Sequence, residues 1–280
     1  MIDPFHLEKY NINAVNYNRD VETFPILKNI LHHITGKDIY FSPTDMGVNM
    51  VGYCIKNNDI VENAAKKEVV RRYFNELCNY KQGISDFDTV QKIKLLMNEL
   101  NIDENFLKVV EVSKKASEKK KTNVIALELP KGKIITGKQT DLLSPASSVI
   151  INAIKELSKI PDDINLLSPT ILEPILKLRK NNNTLSLQEV LIALAVCSVT
   201  NPSIASALEK LEVLKDCEAH ATYIVTNGDL KALKSLKINL TCEPNFYSKE
   251  IMEIAIYNYK RFIYNENRVR RWNTNIHQEV

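Results

Sequence analysis

The sequence predicts an α+β or α/β protein in which a mostly helical N-terminal lobe precedes an α/β layered domain with a mixed sheet. Three observations carry that prediction. Apolar residues recur at a helical period as far as about residue 121, the period drops to two at residue 124, and beyond it strand-like and helix-like segments alternate. These shifts predict a helical lobe over 1–121, an α/β domain over 122–246 and a helical or irregular tail over 247–280.

In the first lobe Val61, Ala65, Val69, Tyr73 and Leu77 share one helical face. Val90, Ile93, Met97 and Leu100 share a second, and Phe106, Val109 and Val112 a third. The breaks at Lys81-Gln82-Gly83 and Asn101-Ile102-Asp103 are short enough to join antiparallel neighbours of a bundle. Residues 114–121, with five lysines and one glutamate, close the lobe and read as a solvated helix face and linker, anion binding being the minor alternative. Val124-Ile125-Ala126-Leu127-Glu128-Leu129 and Ile134-Ile135 then flank Pro130-Lys131-Gly132-Lys133, a hairpin signature. Further on, the pattern predicts a helix over 145–159, a short apolar strand over 164–167, and helices over 169–180, 187–199 and 202–214. Strands over 219–226 and 238–241 bracket a last helix over 229–236. Ser42-Pro43, Ser144-Pro145, Ser168-Pro169 and Asn201-Pro202 each place a capping side chain before a proline suited to the first helical position. The same geometry leaves backbone N–H groups able to hold phosphate or carboxylate.

A chain of 280 residues can bury two cores, and 44% hydrophobic with 25% charged residues is a globular composition. A net charge of +3 is too small to mark a nucleic-acid protein. The five cysteines form no close CxxC pair, so reduced thiols and a cytoplasmic location are expected. Cys54, Cys78 and Cys197 fall among apolar helical residues and read as core. The first residues lack the basic flank and apolar run of an export signal, and no window reaches the roughly 18 apolar residues of a membrane span.

Two kinds of segment could carry chemistry. Cys217-Glu218-Ala219-His220 followed by Cys242-Glu243 groups thiols, an imidazole and carboxylates, but the order and spacing match no standard zinc pattern, so no metal site is predicted. If residues 218–222 are extended, Glu218, His220 and Thr222 share a face that Cys217 does not, which disfavours a Cys217–His220 dyad. Glu218 orienting His220 as a general base is the easier geometry; a structural histidine near a strand edge is the alternative. The second kind is polar loop. Asn16-Tyr17-Asn18-Arg19-Asp20 and Ser42-Pro43-Thr44-Asp45-Met46-Gly47-Val48-Asn49 serve either local turn and cap bonds or a ligand-facing wall. In the wall reading Arg19 meets an anion, Asp45 a proton or cation, and Thr44 and Asn49 supply hydrogen bonds. Gly132-Lys133-Ile134-Ile135-Thr136-Gly137-Lys138 lacks the spacing of a phosphate-binding loop, leaving Lys138 as a single candidate anion contact.

The strings Met1-Ile2-Asp3-Pro4-Phe5-His6-Leu7-Glu8, Val15-Asn16-Tyr17-Asn18-Arg19-Asp20-Val21-Glu22 and Ser42-Pro43-Thr44-Asp45-Met46-Gly47-Val48-Asn49-Met50 resemble domain-of-unknown-function family 1846, an uncharacterised bacterial family. The resemblance continues through Thr136-Gly137-Lys138, Val190-Leu191-Ile192-Ala193-Leu194, Val199-Thr200-Asn201-Pro202, Cys217-Glu218-Ala219-His220 and Leu240-Thr241-Cys242-Glu243-Pro244, and covers about residues 1–245. It implies kinship with the C-terminal half of longer proteins whose preceding half includes a glycine-rich, lysine-containing loop suggestive of phosphate binding. Nothing in this chain matches that loop. Lys180-Asn181-Asn182-Asn183-Thr184 is abbreviated against the family. After about Tyr247 the likeness ends, and a tail follows in which Tyr257, Tyr259, Phe262, Tyr264 and Trp272 interleave with Lys260, Arg261, Arg268, Arg270 and Arg271.

The expectation is the C-terminal part of a larger cytoplasmic enzyme for a small anionic or nucleotide-like molecule, with Asp45, His220 and Glu218 handling protons and Arg19, Thr44, Asn49 and Lys138 binding ligand near an interlobe cleft. The residues point to no particular cofactor. A non-catalytic self-association module, or one docking a missing N-terminal half, is the rival; nucleic-acid binding through the tail is a third and less favoured reading.

Overall fold

The computed structural model describes residues 24–37, 58–178 and 184–247. A mixed four-stranded sheet forms the centre, built from β1 (Val124–Glu128), β2 (Ile134–Lys138), β3 (Glu218–Ala221) and β4 (Asn239–Cys242) in the order β2-β1-β3-β4. β1 runs antiparallel to both β2 and β3, whereas β3 and β4 are parallel. A parallel pair needs a crossover, supplied here by a helix between β3 and β4. The β1–β2 hairpin closes where predicted. Leu129 N–H donates to the Lys133 carbonyl (2.8 Å) and Gly132 N–H to the Leu129 carbonyl (2.8 Å), with Gly132 at φ +80°, a conformation that favours glycine.

Helices preceding the sheet are α1 (Phe24–Thr35), α2 (Asn58–Lys81), α3 (Phe87–Glu99) and α4 (Lys108–Lys120), with a 3₁₀ turn over Glu104–Phe106. Those following β2 are α5 (Pro145–Leu157), α6 (Pro169–Lys177), α7 (Leu187–Ser198), α8 (Pro202–Glu209) and α9 (Asn227–Ser235). Strand alternation sorts them onto two faces. Ile125, Leu127, Ala219 and Ala221 point into a core shared with Ala146, Val149, Ile150, Leu187, Leu194 and Leu233 of α5, α7 and α9. Ala126 points the other way, into a core with Val69, Val70 and Phe74 of α2, Ile93 and Leu96 of α3, and Val109 and Val110 of α4. Burying each large apolar side chain contributes about 1.5–3 kcal/mol, so these stripes fix both helical layers.

The mostly helical first part and the α/β region with a mixed sheet are as the sequence predicts. Two elements differ. The run 164–167 is not a strand: Leu166 and Leu167 bury their side chains, while Ile164 stays exposed and its N–H turns back to the Pro161 carbonyl (3.1 Å). Apolar residues suffice to fill a core gap but not to supply a backbone partner. The strand expected over 219–226 ends at Ala221. Beyond it, the Ile224 N–H donates to the Asn245 carbonyl (2.7 Å) in an irregular connection to α9.

Gly137 brings β2 against α5. A Cβ at this position would lie 2.1 Å from the Val149 backbone nitrogen and 2.7 Å from the Pro145 carbonyl oxygen, so only glycine permits the approach. Ser144 caps that helix, accepting from the Ser147 N–H (3.2 Å), and Asn201 caps α8 through the Ser203 N–H (3.0 Å). Ser168 is instead hydrogen-bonded to the Thr170 hydroxyl (2.5 Å). Ser42-Pro43 lies outside the described residues.

Candidate functional site

His220 pairs with Ala126 across the antiparallel β1 and with Thr241 across the parallel β4, which turns its side chain toward α2 and α4. The residue has no exposed surface, and its ring packs against Phe74 with centroids 4.7 Å apart. Both ring nitrogens are hydrogen-bonded. Nδ1 lies 2.7 Å from Thr241 Oγ1, and Nε2 lies 3.1 Å from Glu243 Oε1. Thr241 Oγ1 also lies 3.1 Å from the Ala219 carbonyl oxygen.

That third contact lets the cluster serve either charge of the imidazole. In the neutral ring, Nε2–H donates to Glu243 and the Thr241 hydroxyl donates to Nδ1. In the imidazolium, Nδ1–H donates to Thr241, whose hydroxyl proton then turns to the Ala219 carbonyl. No buried polar group is stranded in either state. Burial lowers the pKa of His220, the Glu243 carboxylate opposing it, so the neutral ring predominates near pH 7.

Glu243 connects this buried ring to the outside. Burial alone would raise its pKa, but hydrogen bonds from His220 and Lys114 outweigh that and hold it below the usual value. Lys114 Nζ stands 2.9 Å from Glu243 Oε1 and 3.1 Å from Glu104 Oε2. Burial would lower this ammonium, yet its two carboxylate partners outweigh that too and raise it. Burial, and after it the nearby Glu104 carboxylate, raises the pKa of the Tyr73 phenol. Tyr73 and Glu104 line a cavity of about 290 Å³ together with Met97, Asn98 and Ile102. A continuous polar path thus runs from β3 through Glu243, Lys114 and Glu104 to a surface hollow. Lys114, read from sequence as part of a solvated face, belongs to this network because α4 packs on the sheet.

The carboxylate on His220 is Glu243 and not Glu218. Glu218 shares the strand face with His220, as extended geometry requires, but its Oε1 is taken by Arg71 Nη1 at 2.6 Å, with Lys67 Nζ at 4.0 Å. Residues two apart on one strand stand nearly 7 Å from each other, whereas Glu243, just past β4 and two residues beyond Thr241, returns to the same face and reaches His220 Nε2. Glu243 entered the sequence reading only as the neighbour of Cys242; the signal that finds it is the parallel register of β3 and β4.

The cysteines do not converge on His220. Cys217 and Cys242 pack on the opposite side of the sheet with Ala219 and Ala221. Burial pushes the Cys242 thiol up to about 11 and also raises those of Cys217 and Cys78, so none is an activated nucleophile. Among the described residues, no group of three or more His, Cys, Asp and Glu side chains has metal-ligand geometry. Lys138 is exposed at the end of β2, opposite Val124 on β1, and makes no ion pair with the His220 cluster among the described residues. Arg19, Thr44, Asp45 and Asn49 lie outside the described residues, as do Cys54 and the basic aromatic tail beyond Tyr247. No described helix is long and apolar enough to cross a membrane.

Fold and site together define a mixed α/β sheet protein, with helices preceding the sheet and a histidine–carboxylate pair buried against it. The chain belongs to the DUF1846 family: residues 1–101 match the N-terminal domain of unknown function DUF1846, and residues 105–252 match the DUF1846 C-terminal domain. The resemblance is therefore wider than to the family's C-terminal half, since both of its domain models find their match here. Similar relatives are a UPF0371 protein of Clostridium botulinum (strain Alaska E43 / Type E3), 47% identical over 265 residues, and one of Clostridioides difficile (strain 630), 45% identical over 265 residues. A third, from Clostridium tetani (strain Massachusetts / E88), is 44% identical over 265 residues. Each alignment covers 90% of this chain and 53% of the relative, so the chain spans about half the length of the curated relatives it matches.

Proposed function

We propose that this chain carries the proton-handling part of a bacterial cytoplasmic enzyme that acts on a small polar, anionic or nucleotide-like molecule. Glu104, at the cavity beside Tyr73, meets the substrate, Glu243 is the proton-handling carboxylate linked to it through Lys114, and His220 is the positioning residue behind Glu243. The observation that carries this reading is the bonding of His220, in which a fully buried imidazole finds partners for both nitrogens in both charge states. A histidine needed only for packing requires one such state. Arg19, Thr44, Asn49 and Lys138 remain the ligand-binding candidates of this proposal and Asp45 a further proton-handling one, while Glu218 becomes the clamp of Arg71. The test follows the His220 ring by NMR while nucleotides and phosphorylated metabolites are added in turn. A binder should move the His220 resonances in the native chain and lose that effect in E243Q; a folded protein whose ring is silent across the whole panel overturns the proposal.

A second reading, self-association, is favoured by α7. Ile192, Val196 and Val199 are 65%, 67% and 84% exposed and lie on one helical stripe, and the sequence carries no charge from Val190 to Leu208. Two copies meeting through this uncharged stripe would suffer no repulsion there. Light scattering of the native chain and V196E tests it: a dimer converted to a monomer supports the reading, and a native monomer refutes it.

A further inference from the structure

A second polar region, built from residues outside the His220 path, lies where α2 passes β4, an edge strand among the described residues. Here a cavity of about 510 Å³ is lined by Arg71, Arg72 and Asn75 of α2, Lys234 of α9, and Asn239 and Leu240 of β4, together with Glu68 and Glu76. Its charges are unevenly committed. Glu68 is engaged by Arg71 Nε at 2.8 Å and Arg72 Nε at 3.4 Å, and Glu76 accepts from Asn79 Nδ2 at 3.0 Å. Arg71 is braced from behind by Glu68 and by the buried Glu218, which fixes the plane of its guanidinium through Nε and Nη1. Its Nη2 has no partner among the described residues, and Lys234 forms no ion pair among them.

The sheet edge adds a backbone donor. In the parallel β3–β4 ladder the Asn239 N–H donates to the Cys217 carbonyl (2.9 Å) and the Glu243 N–H to the Ala221 carbonyl (2.8 Å). Odd-numbered residues of β4 therefore face β3, and the N–H of Leu240 faces away from the sheet, on the side of the cavity. A planar guanidinium held rigid by two carboxylates, a backbone N–H with no partner among the described residues and a nearby ammonium are the donor set that oxyanions select.

We propose that this groove is a binding site for a small oxyanion-bearing molecule, phosphate or carboxylate, held by Arg71 Nη2 and the Leu240 N–H with Lys234 adding charge. The site is independent of proton handling at His220 and uses none of its residues. The experiment titrates the full chain with inorganic phosphate and, separately, with acetate, following the Leu240 amide and the Arg71 guanidinium by NMR. Phosphate should shift both signals to saturation; the acetate arm shows whether carboxylate is also taken. Because R71Q alone strands the Glu218 carboxylate, the variants are the charge-balanced pair R71Q with E218Q, and K234Q on the exposed surface. The pair should weaken phosphate binding about tenfold or more, K234Q by a smaller factor. An unmoved Leu240 amide in the folded native chain overturns the site, as does native affinity in the R71Q and E218Q pair. The His220 ring reports separately on the proton-handling proposal, so the two can fail independently.

Discussion

Thr241 Oγ1 stands 2.7 Å from His220 Nδ1, and the direction of that hydrogen bond is set by the charge on the imidazole. A hydroxyl can reverse roles because it carries one proton and two acceptor sites; a backbone carbonyl in its place would hold the ring in one tautomer. Thr241 is itself buried, so solvent cannot replace it.

Replacing Thr241 with valine keeps the shape and removes the hydroxyl. The buried Nδ1 then has no partner, which should cost about 1–3 kcal/mol in urea unfolding. An NMR titration of the same variant should place the His220 pKa below that of the native chain, because the imidazolium loses its second acceptor. An unchanged titration would show that Thr241 does not serve the charged ring.

The dependence of stability on pH follows from three shifts. His220 is lowered from 6.5 by burial, so the unfolded chain binds the proton more readily; the neutral ring's contribution is full above 6.5 and is lost as pH falls toward the folded value. Glu243 is lowered from 4.5 by its His220 and Lys114 bonds, burial opposing, and loses its contribution on further acidification. Lys114 is raised from 10.5, its carboxylate partners outweighing burial, and contributes until pH rises through its folded value. Thermal unfolding should therefore show a plateau at neutral pH and an acid limb that begins near 6.5. H220N should lose the first part of that limb and keep the part due to Glu243.

Gly137 should tolerate no side chain. G137A forces a Cβ into the α5 backbone, and we expect a loss of about 3 kcal/mol or more by urea unfolding, since backbone cannot move aside as a flexible side chain can. Substituting Gly132, where the nearest atom is a Glu128 oxygen 4.0 Å away, meets no such clash and should cost only the strain of positive φ, about 1 kcal/mol.

The two cations on Glu218 should differ sharply. Arg71, at 2.6 Å from a carboxylate that is largely buried, should cost about 3 kcal/mol when replaced by alanine, because the charge left behind is uncompensated. Lys67, at 4.0 Å and one-third exposed, should cost about 0–1 kcal/mol. Equal losses in the two variants would contradict this division.

Much of the architecture was legible in local sequence because local chemistry decides it. The stripe Val69, Tyr73 and Leu77 marks α2, Ser144-Pro145 marks the start of α5, and Gly132 marks the hairpin turn. Alternation also places Glu218 and His220 on one face and Cys217 on the other. The run at 164–167 misleads because its composition states that it is buried, while strand formation needs a free edge elsewhere in the chain.

What sequence determined by itself was periodicity: where most of the helices and strands lie, and which side chains share a face. Only the tertiary structure decided partnership. Whether His220 meets Glu218 or Glu243 depends on the parallel pairing of β3 with β4, and whether Lys114 is left to solvent or paired with Glu243 depends on α4 lying across the sheet. Face-sharing is a property of one strand's own backbone geometry, whereas the identity of the opposing residue is set by long-range register, which no segment encodes alone.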